Sequence, residues 1–319
     1  MTQISPSGPP LPFPAPHSPD VVAAMVTPCK EPGEVDPSAM RRLAELVSSQ
    51  GCDGLFVLGS TGEMILLDES DRRAIVTAAA EGAAGAAAVM VGVGGYGVKQ
   101  AIRFARFAQQ DGADYAIAMA PFFQRLSQAE LLGYFVELAE QSPLPIGIYH
   151  HLRMTTSVDV ETFGELASHP NILLCKDTSN DLNRMRQLLA ATEGQNFRVL
   201  QGIEMLILDS LNAGAHGCVS ALAGIAPQWH RTLIDSFKSG NTENAQASHA
   251  QIAELTQLFQ IPEIRISLAH QVHALKHSAK SLGLFERSAS MLTKFQATRE
   301  FEQAIENILL QSGLLTLAK

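Results

Sequence analysis

Pro145-Ile-Gly-Ile-Tyr149 is a short apolar run, residues 159–168 form an amphipathic stretch of helical period, and Ile172-Leu-Leu-Cys-Lys176 is a second apolar run. Two such strands with a helix between them form a right-handed crossover, so the strands lie parallel and the helix covers their sheet. The alternation continues in both directions. Upstream stand the apolar runs 21–27, 54–58, 87–93 and 115–120, and downstream 198–201 and 217–221. Amphipathic stretches at 37–50, 68–81, 97–110, 127–141, 182–192 and 204–212 separate them. Eight strands alternating with helices fit a closed (β/α)8 TIM barrel, and an open doubly wound sheet is the second reading. After the eighth strand the pattern is helical only, at 227–239, 242–259, 263–282 and 294–311. The expected organisation is therefore a mobile arm over 1–20, which holds seven prolines, a barrel over 21–240 and a C-terminal helical subdomain over 241–319.

Composition narrows the class. The chain has 319 residues, 46% hydrophobic and 17% charged, which suits a folded globular protein and not a disordered one. A net charge of −9 without any basic run argues against nucleic acid or an anionic membrane as partner. The uncharged stretch 82–98 is Gly/Ala-rich with an internal Gly-Gly break, so it reads as a buried strand with its turns and not as a membrane span. No basic segment followed by an apolar core marks a signal peptide. Cys29, Cys52, Cys175 and Cys218 are too scattered for a disulfide framework or a zinc knuckle. A cytoplasmic globular protein with a small-molecule partner is expected.

In a barrel of this kind, chemistry sits at the C-terminal ends of the strands. The period-2 rule puts Ile172, Leu174 and Lys176 on one face, so Lys176 points into the barrel mouth, where a desolvated amine can attack a ketone. The competing reading is a lysine that ends the strand by pairing with Asp177. Tyr149 ends the preceding strand, 27 residues earlier, and brings a phenol to the same mouth. Gly59-Ser60-Thr61-Gly62-Glu63 follows the second strand, and its glycines permit a turn that aims N–H groups and two hydroxyls at a carboxylate. His150 follows Tyr149 and is expected to offer a hydrogen bond to substrate. Two patterns are set aside. Gly92-Val-Gly94-Gly-Tyr-Gly97, with Asp111 and Asp114 beyond it, matches a dinucleotide cradle, but it stands on the third unit and reads as a permissive loop. His270, His273 and His277 share a helix face outside the barrel, which reads as a solvated or interface face, with no metal expected.

Taken together, the 59–63 loop, the strand-end Tyr149 and Lys176-Asp177-Thr178 resemble the N-acetylneuraminate lyase / dihydrodipicolinate synthase family, the pyruvate-type class I aldolases. The resemblance spans about residues 20 to 315 and includes Thr27-Pro28, Pro121, Gly202-Ile-Glu204 and the 217–220 strand. It implies a barrel with a C-terminal helical subdomain, a homotetramer, and no cofactor. It further implies that Lys176 forms a Schiff base with the C2 carbonyl of a 2-oxo acid, that Tyr149 is the acid/base and that Ser60 relays its proton. Gly59, Thr61 and nearby amides would hold the pyruvate carboxylate, and Val219 and Ser220 would line the pocket. Two positions depart from the pattern. Phe123 stands where many members carry a second tyrosine that reaches a neighbouring active site, and it cannot relay a proton. Met154 stands where the synthases carry an arginine for a second carboxylate, with Arg153 one place early. The expected activity is thus a Schiff-base lyase, either a pyruvate-releasing aldolase or a dehydratase of a 2-oxo-3-deoxy sugar acid. The alternatives are 4-hydroxy-tetrahydrodipicolinate synthase and a non-catalytic 2-oxo-acid-binding descendant.

Overall fold

Short Val/Ala/Gly-rich runs are buried on both faces, as strands sandwiched between a barrel lumen and a helical layer must be. In the computed structural model, which describes residues 20–152, 154–265 and 267–316, eight of them close into a parallel barrel. They are β1 (Val21–Ala24), β2 (Gly54–Val57), β3 (Ala88–Gly92), β4 (Tyr115–Ala118), β5 (Ile146–His150), β6 (Ile172–Asp177), β7 (Arg198–Gln201) and β8 (Gly217–Ser220). Each strand pairs with the next in sequence, and β8 pairs with β1 to complete the circle. The expected arm over 1–20 lies outside the described residues except for Asp20.

Eight helices follow the strands: α1 (Pro37–Ser49), α2 (Glu69–Ala83), α3 (Val98–Gln110), α4 (Gln128–Gln141), α5 (Val160–Ala167), α6 (Leu182–Ala191), α7 (Ile207–Asn212) and α8 (Pro227–Lys238). Local sequence starts them where expected. The Asp36 carboxylate accepts from Ala39 N–H ahead of Pro37, and Ser127 and Glu130 form a reciprocal capping box. α1 then buries Ala39, Met40, Leu43, Ala44 and Val47, one stripe at helical spacing. Beyond the barrel lie α9 (Thr242–Leu255), α10 (Leu268–Ser281) and α11 (Arg299–Gln311), with α10 packed on α11.

The apolar side chains separate into two bodies. A small one fills the lumen and includes Val22, Phe56, Met90, Ile117, Tyr149, Leu174, Leu200 and Val219. A large one lies between the barrel and its helices and reaches α10 and α11. This partition corrects one expectation. The pairing of β5 with β6 shifts between Ile146 and Gly147, which leaves Leu173 unmatched, so Ile172 joins the outer body while Leu174 and Lys176 keep the inward face. Close packing accounts for the first two glycines of the 92–97 pattern, whereas Gly97 has open space around it. A Cβ on Gly92 would meet the Leu58 carbonyl at 1.8 Å, and one on Gly94 would meet Met119 N at 2.1 Å. Among the described residues no helix is long and apolar enough to cross a membrane.

Candidate active site

Parallel pairing places Tyr149 directly opposite Lys176 on neighbouring strands. Both side chains point into the barrel mouth. The Lys176 amine lies 4.4 Å from the centroid of the Tyr149 ring and 5.7 Å from that of Phe56, within cation–π range of both. Lys176 is 7% exposed and Tyr149 is 4% exposed, so this amine and this phenol face each other out of bulk water. The Tyr149 hydroxyl reaches the Ser60 hydroxyl at 3.3 Å, where either group can donate. The residue after β7 is closely packed: a Cβ on Gly202 would stand 2.4 Å from Thr178 Cγ2 and 2.9 Å from both the Asp177 carbonyl oxygen and Lys176 Cε. Sequence reading recorded Gly202 without a role. Its missing side chain leaves room for Thr178 and the Asp177 backbone as well as for the amine-bearing chain.

Asp177 is not the partner of Lys176. Strand alternation turns it to the outer face, where its carboxylate meets His150 Nδ1 at 2.7 Å, accepts from the Ser179 hydroxyl at 2.6 Å and lies 3.5 Å from Arg184 Nε. Burial by itself would raise the Asp177 carboxyl. The hydrogen bonds from His150 and Ser179 and the charge of Arg184 reverse that and hold it below the usual carboxylate range.

The same alternation corrects His150. Because Tyr149 faces inward, His150 faces outward. It is buried there against Phe163, with its second ring nitrogen 3.1 Å from the Ser157 hydroxyl. It is an outer-layer polar contact and offers nothing to the lumen. Ser220 is corrected on the same ground. Its neighbour Val219 lines the lumen, whereas the Ser220 hydroxyl donates to Glu204 at 3.0 Å and meets His230 Nε2 at 3.0 Å outside the barrel. Phe123 is fully exposed at a left-handed φ of 62°, and does not line the pocket of its own chain. Phe122 and Met154 do pack against the lumen cluster, so the mouth has an apolar wall on that side. Arg153 lies outside the described residues.

The 59–63 loop is fastened from two directions. The Thr27 hydroxyl donates to the Gly62 carbonyl at 2.7 Å. Glu63, at a left-handed φ of 55°, is 6% exposed and receives Lys276 Nζ at 2.5 Å, the Ser290 hydroxyl at 2.9 Å and Met291 N–H at 3.1 Å. Lys276 stands on α10, outside the barrel, where sequence patterning assigns it no role. The available signal is a lysine at helical spacing from Val272 and Ala279, and so on an apolar stripe of α10. Of the solvated or interface face expected for the histidines, the solvated reading is overturned, since His273 and His277 are buried under α11.

A model of the dihydrodipicolinate synthetase family matches residues 17–311. The chain belongs to that family. A 4-hydroxy-tetrahydrodipicolinate synthase from Haloarcula marismortui is 32% identical over 236 residues, covering 74% of this chain and 77% of that protein. A second, from Streptomyces coelicolor, is 34% identical over 225 residues, covering 70% and 73%. Among solved structures, a prophage protein of the dihydrodipicolinic acid synthase family from E. coli K12, in complex with pyruvate, superposes with a TM-score of 0.86 at 25% identity. It covers 93% of this chain and 99% of its own. Dihydrodipicolinate synthase from Aquifex aeolicus superposes with a TM-score of 0.84 at 28% identity, covering 93% and 98%. As a dihydrodipicolinate synthetase family member, this protein is a class I, Schiff-base-forming enzyme of the pyruvate type.

Proposed function

We propose that the protein is a 2-oxo-acid lyase in which Lys176 is the nucleophile, Tyr149 the acid/base and Ser60 its relay. The Lys176 amine adds to the C2 carbonyl, water leaves, and the resulting iminium accepts the electron pair released at C3 by C–C cleavage or proton loss. Tyr149 moves the protons of the carbinolamine and imine steps, and the Ser60 hydroxyl passes them on. Thr61 and the amides around Gly59 hold the carboxylate of the pyruvate unit, and Val219 closes the floor. The observation that carries this reading is the Lys176 amine beside the Tyr149 ring, with no ion pair to it among the described residues.

Substrate choice rests on the wall of the mouth. Met154 packs against the lumen cluster where the synthase pattern calls for an arginine, so a second carboxylate has no matched fork at that position. A monocarboxylic 2-oxo acid with a neutral tail, such as a 2-oxo-3-deoxy aldonate, is the preferred substrate, and assembly into a homotetramer goes with this reading. The names carried by the relatives favour a second reading, condensation of pyruvate with aspartate semialdehyde.

Borohydride reduction in the presence of pyruvate, followed by peptide mass spectrometry, tests the chemistry. The reduced pyruvyl adduct is expected on Lys176, and Lys176→Ala is expected to abolish turnover. A label elsewhere, or none, refutes the assignment. Comparing kcat/KM for mono- and dicarboxylic 2-oxo acids and for the condensation then separates the two substrate readings.

A further inference from the structure

We propose that α10 and α11 carry a divalent transition-metal site, with zinc as the first-choice ion, ligated by His273 Nε2, His277 Nδ1 and the Glu302 carboxylate. The two histidines stand one helical turn apart on α10 and project from one face toward α11. A single oxygen, Glu302 Oε1, lies 3.1 Å from His273 Nε2 and 3.2 Å from His277 Nδ1. One donor atom from each of the three residues lies within 4.8 Å of the other two. A tetrahedral zinc with bonds of roughly 2.0–2.2 Å has ligand–ligand edges of about 3.3 Å, so two of the three edges are already close to length.

The hydrogen-bond pattern at His277 points the same way. Its Nε2 is bonded to Glu306 Oε1 at 3.0 Å, which assigns the ring proton to Nε2 in the neutral tautomer and leaves a lone pair on Nδ1. That Nδ1 is buried and has no hydrogen-bond partner, yet it faces the Glu302 oxygen. A lone pair opposite a carboxylate oxygen leaves a place that a cation, a proton or a metal ion, fills. Glu306 then occupies the place of the outer carboxylate that orients a metal-bound imidazole and raises its basicity. Phe295 and Phe301 pack on the His273 ring, with centroids at 5.3 and 6.1 Å, and shield that side from water. Glu302 is 34% exposed and Glu306 is 40% exposed, so an ion can enter from solvent and keep a water as its fourth ligand. Two imidazoles and a carboxylate suit zinc better than calcium or magnesium, which prefer all-oxygen shells.

The untagged full-length chain, stripped with chelator and dialysed against zinc sulfate, is the material for the test. Elemental analysis is expected to find one zinc per chain, and the cobalt(II)-loaded protein is expected to show the visible absorption of a tetrahedral nitrogen/oxygen site. His277→Gln and Glu302→Gln should each abolish stoichiometric uptake. Glu306→Gln should weaken it by about 10-fold or more, the effect of losing an outer partner. Substoichiometric zinc in the parent, a cobalt spectrum of the hydrated ion alone, or equal uptake by His277→Gln and Glu302→Gln would overturn the proposal and leave the cluster as histidine–carboxylate hydrogen bonds.

Discussion

Replacing Lys276 with methionine keeps the unbranched side chain up to its terminal atom and removes its charge. The lysine is 0% exposed, and its ammonium donates to Glu63 Oε2 at 2.5 Å and to the Ala289 carbonyl at 2.9 Å. In Lys276→Met, Glu63 keeps the Ser290 hydroxyl and Met291 N–H, both on Oε1, and its Oε2 is left without the lysine. Removing one member of a buried ion pair costs about 3–5 kcal/mol, against a total of about 5–15 for a folded domain. Urea unfolding at fixed protein concentration should show a loss of that size. Lys276→Met/Glu63→Leu should lose less than the two single changes added together, by about 1–3 kcal/mol, because it leaves no charge buried alone. Activity should follow. Glu63 ends the turn that carries Ser60 and Thr61, and a displacement of about 1 Å at a reacting group is worth about 10²-fold in rate. A Lys276→Met protein within about 1 kcal/mol of the parent, or single changes that simply add, would refute the claim that this pair holds the loop.

Tyr149→Phe keeps the ring beside the Lys176 amine and removes the proton, so adduct trapping with borohydride should persist while kcat falls about 10²–10⁴-fold. Gly202→Ala places a methyl 2.4 Å from Thr178 Cγ2 and 2.9 Å from the Asp177 carbonyl oxygen and Lys176 Cε, so the end of β6 must shift, and single-turnover measurements should show slower imine formation with the overall fold intact by circular dichroism. His230, fully buried on Ser220, is pushed by desolvation from 6.5 down to about 4. Its neutral form is the one the fold accepts, so this stability is complete above pH 6.5 and falls as the pH drops toward 4. The full loss is about 3 kcal/mol, and denaturation midpoints across that window should flatten in His230→Asn.

The barrel was legible because eight apolar runs alternate with amphipathic stretches, and Lys176 and Tyr149 were legible because a strand obeys period 2. The same rule, applied one residue further, turns His150 and Ser220 outward, because each follows a residue that faces the lumen. Ile172 could not be read, since the unmatched Leu173 depends on the pairing of two strands and not on either alone. The Lys276–Glu63 bond joins residues 213 positions apart, a separation at which no periodicity carries information. Burial of His273 and His277 likewise depends on where α11 settles, and the face of one helix says nothing about its cover.

The fastening of Glu63 also sets an order in time. The turn bearing Ser60 and Thr61 leaves the ribosome long before its anchors, Lys276 and Ser290, have been made. At a synthesis rate of roughly 5–20 residues per second, the 213 positions that separate Glu63 from Lys276 correspond to about 10–40 s. From the completion of β8 at Ser220 until Lys276 has been made, a nascent barrel holds the Lys176 amine and the Tyr149 phenol but lacks the final hold on the 59–63 turn. The last quarter of the chain therefore supplies the hold on a turn in the first, and a premature stop before Lys276 yields a chain in which Glu63 lacks the lysine and Ser290.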